Sequence, residues 1–230
     1  MKLALACFSA LLLAALPARA EPAPVHECDR LAQPTRAAMG GMAALTDGVE
    51  FKDLRWPAAR AACSRAMQEF PGEVRFVVYA ARAADKGGDS REAVRMYRAA
   101  ADEGNALAQN NLGAAYANGE GGLARNEREA ARYYRMAAEQ GLASGMSNLA
   151  VMHAYGRGGV ARNDREAVRL WQAALEFGDV QAQTNLGVMY AEGRGGLQRD
   201  MGQAISMWRM AAGQGSTEAA NNLRKAGMRQ

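Results

Sequence analysis

The sequence predicts an all-α fold, a right-handed α-α superhelical solenoid of helix-turn-helix repeats with a 37-residue period. Three observations predict it. Gly104, Gly141, Gly178 and Gly215 stand 37 residues apart, as do Asn111, Asn148, Asn185 and Asn222, each followed by leucine. Within a step, apolar residues recur at helical spacing, as at Ala108, Leu112, Ala115 and Tyr116. The pairs Asp89/Glu92, Asn126/Glu129, Asn163/Glu166 and Asp200/Gln203 keep the same step and read as capping boxes that open a second helix.

Residues 1–20 carry a positive start at Lys2, an apolar run from Leu3 to Leu16, and the small residues of Ala18-Arg19-Ala20. This predicts a secretory signal peptide cleaved after Ala20. The run is shorter than the roughly twenty residues of a spanning helix, so no membrane insertion is expected after cleavage. Residues 21–50 read as irregular, with Pro22, Pro24 and Pro34. Cys28 and Cys63 are the cysteines outside the leader, and two thiols in an exported chain predict one disulfide. Within 51–104 the pattern predicts a helix from Ala58 to Phe70, stopped by Pro71-Gly72, and a helix pair from Glu73 to Glu103. Tyr79, Ala93 and Tyr97 keep it in register with the later units.

Residues 105–215 hold three full units. In the first, a helix from Ala106 to Asn118 stops at Gly119, and the loops Gly119-Glu-Gly-Gly, Gly156-Arg-Gly-Gly and Gly193-Arg-Gly-Gly join first helix to second. A phosphate-binding glycine loop follows a strand and occurs once per site. These follow helices and recur, so they read as turns. Residues 216–230 supply a capping helix from Thr217 to Gly227 and a tail.

Composition narrows the function. Hydrophobic residues make up 49% and charged residues 23%, so the chain is globular rather than disordered. Loss of Lys2 and Arg19 with the leader lowers the formal charge from +4 to +2, and the basic residues form no block. A nucleic-acid partner is not expected. No zinc spacing surrounds the cysteines, so neither metal nor cofactor is expected. Outside the leader the histidines are His26 and His153, and His153 stands where the other units have tyrosine. It reads as a packed imidazole. Ala150 stands at the position of Gly113 and Gly187 and reads as tolerated variation. No motif pairs a nucleophile with a base, so no enzyme is expected.

The stretches Ala108-Gln-Asn-Asn-Leu-Gly-Ala-Ala-Tyr116 and Ala182-Gln-Thr-Asn-Leu-Gly-Val-Met-Tyr190, with the pattern from Asp200 to Ala212, resemble the Sel-one-like repeat (SLR) family, relatives of tetratricopeptide repeats. The likeness covers residues 105–224 strongly, while 56–104 looks more like plain tetratricopeptide units. Cysteine-rich relatives that bind or hydrolyse β-lactams carry a cysteine pair in each repeat, which is missing here.

The resemblance implies a concave face lined by first helices. Mid-helix asparagine costs roughly half a kcal/mol relative to alanine, so its recurrence needs a reason. Two stand open: an amide ladder for an extended peptide, or hydrogen bonds that fix stacking between units. The candidate binding residues are Asn110, Asn111, Asn148, Gln181, Thr184, Asn185 and Asn222. The expected function is a monomeric, non-catalytic scaffold for a protein or peptide partner, periplasmic or secreted. A regulator of envelope signalling or polysaccharide production and a secreted effector are the alternatives.

Overall fold

The computed structural model describes residues 24–33 and 53–227. The leader expected over 1–20, most of the segment expected to be irregular over 21–50, and the last three residues lie outside the described residues. Among the described residues there are eleven helices and no strand. They are α1 (Glu27–Ala32), α2 (Trp56–Glu69), α3 (Val74–Lys86), α4 (Ser90–Asp102), α5 (Ala106–Asn118) and α6 (Glu127–Glu139). The series continues with α7 (Ala143–Tyr155), α8 (Asp164–Leu175), α9 (Val180–Glu192), α10 (Met201–Gly213) and α11 (Thr217–Lys225). Each helix packs on the next, which gives the α-α solenoid that the period implies.

The two helix types differ because their positions differ. The first helices α5, α7 and α9 lie between two second helices and are buried on several sides. They are accordingly rich in alanine and glycine, which let neighbours come close. The second helices bury a single stripe, for example Ala130, Tyr134 and Ala137 of α6, and show charge outward.

One close approach explains the helix glycines. A Cβ on Gly187 would lie 2.4 Å from Trp208 Nε1. The bare backbone lets that indole N–H donate to the Thr184 carbonyl at 3.1 Å. In the unit where Ala150 stands instead, the equivalent Trp171 Nε1 is buried and has no hydrogen-bond partner among the described residues. The alanine is tolerated, but a buried donor goes unpaired, which costs about 1–3 kcal/mol.

Two expectations need correction. The capping boxes form only by half. Asp89, Asn126, Asn163 and Asp200 do accept from the backbone N–H three residues on. The glutamates do not reach back. Glu92, Glu129 and Glu166 turn forward onto Arg95, Arg132 and Arg169, with shortest N–O distances of 2.6, 2.9 and 2.6 Å. A guanidinium offers a charged fork, which outcompetes one neutral N–H.

The second correction concerns the N-terminal segment, which is not irregular throughout, since α1 lies within it. His26 caps that helix: its Nδ1 accepts from Cys28 N at 3.0 Å, and its own N–H donates to Asp29 Oδ2 at 2.7 Å. Cys28 and Cys63 form the disulfide, with Cα atoms 4.6 Å apart, and fix α1 to α2. Around it, the fully buried Asp29 meets Arg75 Nε at 3.2 Å, and Arg82 donates to the Ala32 carbonyl. Helix limits move by one or two residues elsewhere: α2 begins at Trp56 rather than Ala58, and α11 ends at Lys225 rather than Gly227.

Candidate functional site

The predicted binding residues do not form one open ladder. Gln181 is exposed, while Asn111, Asn148 and Asn222 are half-buried. Asn110, Thr184 and Asn185 are buried. Several already bond inside the protein. Asn148 Nδ2 donates to Asn110 Oδ1 of the preceding unit at 2.9 Å, and Asn110 in turn donates to Asn111 Oδ1 at 3.4 Å. Asn111 hydrogen-bonds the hydroxyl of Tyr97, whose pKa burial pushes up. Asn222 Nδ2 is buried without a partner among the described residues.

Further polar links tie first helices to the next unit and to the second helix of their own. Ser147 Oγ donates to Asp179 Oδ1 at 2.7 Å, and one step on Thr184 Oγ1 and Ser216 Oγ are 3.0 Å apart. Burial raises the pKa of the Asp179 carboxyl, and the bonds from Ser147 and the Ala182 N–H oppose the rise. Gln140 donates to Gln109, and Gln214 to Gln183, at 2.7 and 3.0 Å. Met146 and Phe177 hold the same positions in the middle unit and pack on its apolar core. A polar pair has thus been exchanged as a pair for an apolar one.

What remains open on the first helices is a strip of small side chains. Residues four and seven beyond Asn110 are Ala114 and Ala117, and the same spacing gives Val151 and Ala154, then Val188 and Ala191. All but the buried Ala154 are half-buried. Tyr155, at the end of α7, keeps 59% of its surface exposed. Spacing arguments picked out the amides and missed this strip, because small apolar residues in a helical repeat read as core.

Ion pairs fasten two of the glycine loops, each to the unit before it. Arg157 binds Glu127 at 2.7 Å and Arg194 binds Asp164 at 2.9 Å. Hydrogen bonds from Arg157 and then Arg125 hold Glu127 down at about 2, and bonds from Arg194 and then Arg162 hold Asp164 at about 2. Both folded values lie below the ordinary 4.5 and 3.8. The stabilisation is therefore complete above those ordinary values and is lost as pH falls through about 2. Solvent screens both pairs, so each contributes about 0.5–1 kcal/mol. Melting temperature should drop between pH 5 and pH 2, and the drop should shrink in Arg157→Ala/Arg194→Ala. An unchanged drop in that variant would show that other carboxylates carry it.

Among the described residues no group of histidine, cysteine, aspartate and glutamate is placed to hold a metal ion. No described helix is long and apolar enough to cross a membrane.

This stack of helix pairs defines an α-solenoid repeat protein. The Sel1 repeat model matches residues 85–105, 106–142, 143–179 and 180–216, and the chain belongs to the Sel1 repeat family, whose members generally bind other proteins. A Sel1 repeat protein from Oxalobacter formigenes is similar in structure, at 30% identity and a TM-score of 0.60, over 74% of this chain and 72% of that one. A protective antigen of uropathogenic Escherichia coli strains, with an SLR fold, is 28% identical at a TM-score of 0.51. That match spans 73% of this chain and 40% of the antigen. Among curated proteins no match was found.

Proposed function

We propose that the protein is a non-catalytic, exported scaffold that holds a protein or peptide partner along its first helices. The observation that carries this is the recurrence of small, half-buried side chains at Ala114, Ala117, Val151, Val188 and Ala191, with the exposed Tyr155 one helical turn beyond Val151. Small side chains leave room for an extended segment. Gln181, and the groups of Asn110, Asn111, Asn148, Thr184, Asn185 and Asn222 not used internally, rim it with donors and acceptors. An aromatic ring held out in water is a frequent binding anchor. Export is supported by the leader and by the disulfide, which persists outside the reducing cytoplasm.

The test is photo-crosslinking in cells, with the reactive residue at position 155, against the same residue at exposed Arg132 on α6. A discrete adduct from position 155 in the envelope fraction, reduced at least fivefold by Gln181→Ala/Val188→Arg with unchanged melting, is the expected result. Equal adducts from both positions would overturn the assignment. Recovery of the chain only from the cytoplasm would overturn export.

A further inference from the structure

The middle unit departs from its neighbours at one place. In the first unit, Tyr116 stacks on Tyr133 with ring centroids 5.8 Å apart and planes 10° from parallel. The Arg132 guanidinium lies 4.1 Å over the Tyr133 ring, and Arg98 donates to the Tyr116 hydroxyl at 3.4 Å. One period later these four positions hold His153, Leu170, Arg169 and Arg135. Both arginines are kept, while both tyrosines are replaced by smaller side chains.

The lost volume reappears as a cavity of about 310 Å3 between α6, α7 and α8, walled by those four residues together with Met146 and Leu149. That is the low end of ligand-sized pockets, about 300–1,000 Å3, and suits one side chain better than an extended ligand. Among the described residues, His153 Nδ1 is buried with no hydrogen-bond partner, and Arg135 lacks the hydroxyl that Arg98 holds. The carboxylates at the rim are Glu139 and Glu166, and Glu166 is taken by Arg169 at 2.6 Å. Two cations and two anions balance, so the pocket favours a neutral guest with a polar tip over an ion.

We infer that this cavity receives a tyrosine side chain from a protein partner, its ring against the His153 imidazole and Leu170, its hydroxyl on Arg135. The protein's own first unit shows both contacts, on two rings: Tyr133 stacks on the first-helix Tyr116 beneath Arg132, and the Tyr116 hydroxyl accepts from Arg98. Stacking under a guanidinium also favours a ring over an aliphatic group. The pocket lies between α6 and α8 over α7, on other residues than the first-helix strip, so either assignment can fail alone.

The test titrates the untagged chain with N-acetyl-tyrosinamide and follows the His153 ring signals by NMR, which are readily assigned because the chain has two histidines. A saturable shift with a dissociation constant on the order of millimolar is expected for a lone side chain. N-acetyl-phenylalaninamide should bind roughly threefold more weakly, and N-acetyl-leucinamide should give no saturation. Leu170→Tyr should fill the cavity from within and abolish the shift at undiminished melting temperature. Arg135→Ala leaves the cavity open and should erase the preference for tyrosine over phenylalanine. No saturable shift, an equal shift from the leucine compound, or a preference that survives Arg135→Ala would each overturn the inference. Much tighter binding of free p-cresol than of the blocked residue would mark a small-molecule site and overturn the protein partner.

Discussion

Arg75→Ala should destabilise the chain by about 3–5 kcal/mol, the usual cost of leaving a buried charge without its partner. Asp29 has no exposed surface, and Arg75 Nε is its cationic neighbour at 3.2 Å. The same guanidinium binds Glu73 at 2.9 Å and the Pro24 carbonyl at 3.1 Å, and lies 4.4 Å over the Phe76 ring. Removing it strands a carboxylate and frees three further contacts. The disulfide holds α1 in place, so Asp29 cannot simply swing into water. Urea unfolding measures the loss, and Asp29→Asn/Arg75→Ala should recover part of it, because no charge is then stranded. A loss below about 1 kcal/mol would mean that Asp29 finds other compensation.

Gly158→Ala is the second large effect, at about 3 kcal/mol. Gly158 has φ +62°, where an L side chain costs about 1–2 kcal/mol. A Cβ there would also lie 2.3 Å from the Glu127 carbonyl and 2.9 Å from Ala131 Cβ. The carbonyl belongs to the first turn of α6 and cannot move aside without shifting one unit against the next. Gly159 is the control within the same loop. Its φ is +75°, but the nearest atoms to its Cβ are on the Arg128 side chain, 3.7 Å away. Gly159→Ala should therefore cost only the conformational part. Equal melting temperatures for the two variants would refute a steric contact between units.

The arrangement of helices was legible because a repeat states its structure several times over. Glycines, caps and apolar positions all agreed at one step, and the disulfide was implied by two thiols in a chain whose leader predicts export. The side-chain detail was less legible. Glu92, Glu129 and Glu166 fit a capping box by spacing, yet an arginine three residues on offers them a stronger partner. The short helix α1 carries no periodic signal and forms because His26 and Asp29 close its first turn and a disulfide holds it down. Asparagine at every step left two readings open, a ladder for a peptide or stacking between units, and the bond from Asn148 to Asn110 is of the second kind. His153 looked like a single tolerated exchange. The signal lay in the pair, since Tyr116 and Tyr133 change together to His153 and Leu170 one period on.

The clasp between α1 and α2 bears on the order in which the chain takes shape. The cross-link spans 35 residues, and its supporting groups reach no further than Arg82. Everything needed to close it is present once about the first third of the polypeptide has been made. Each later unit rests its first helix on the second helix before it. A chain delivered from its N-terminus therefore meets a finished foundation, and the units can be laid on it one after another, as courses on a footing.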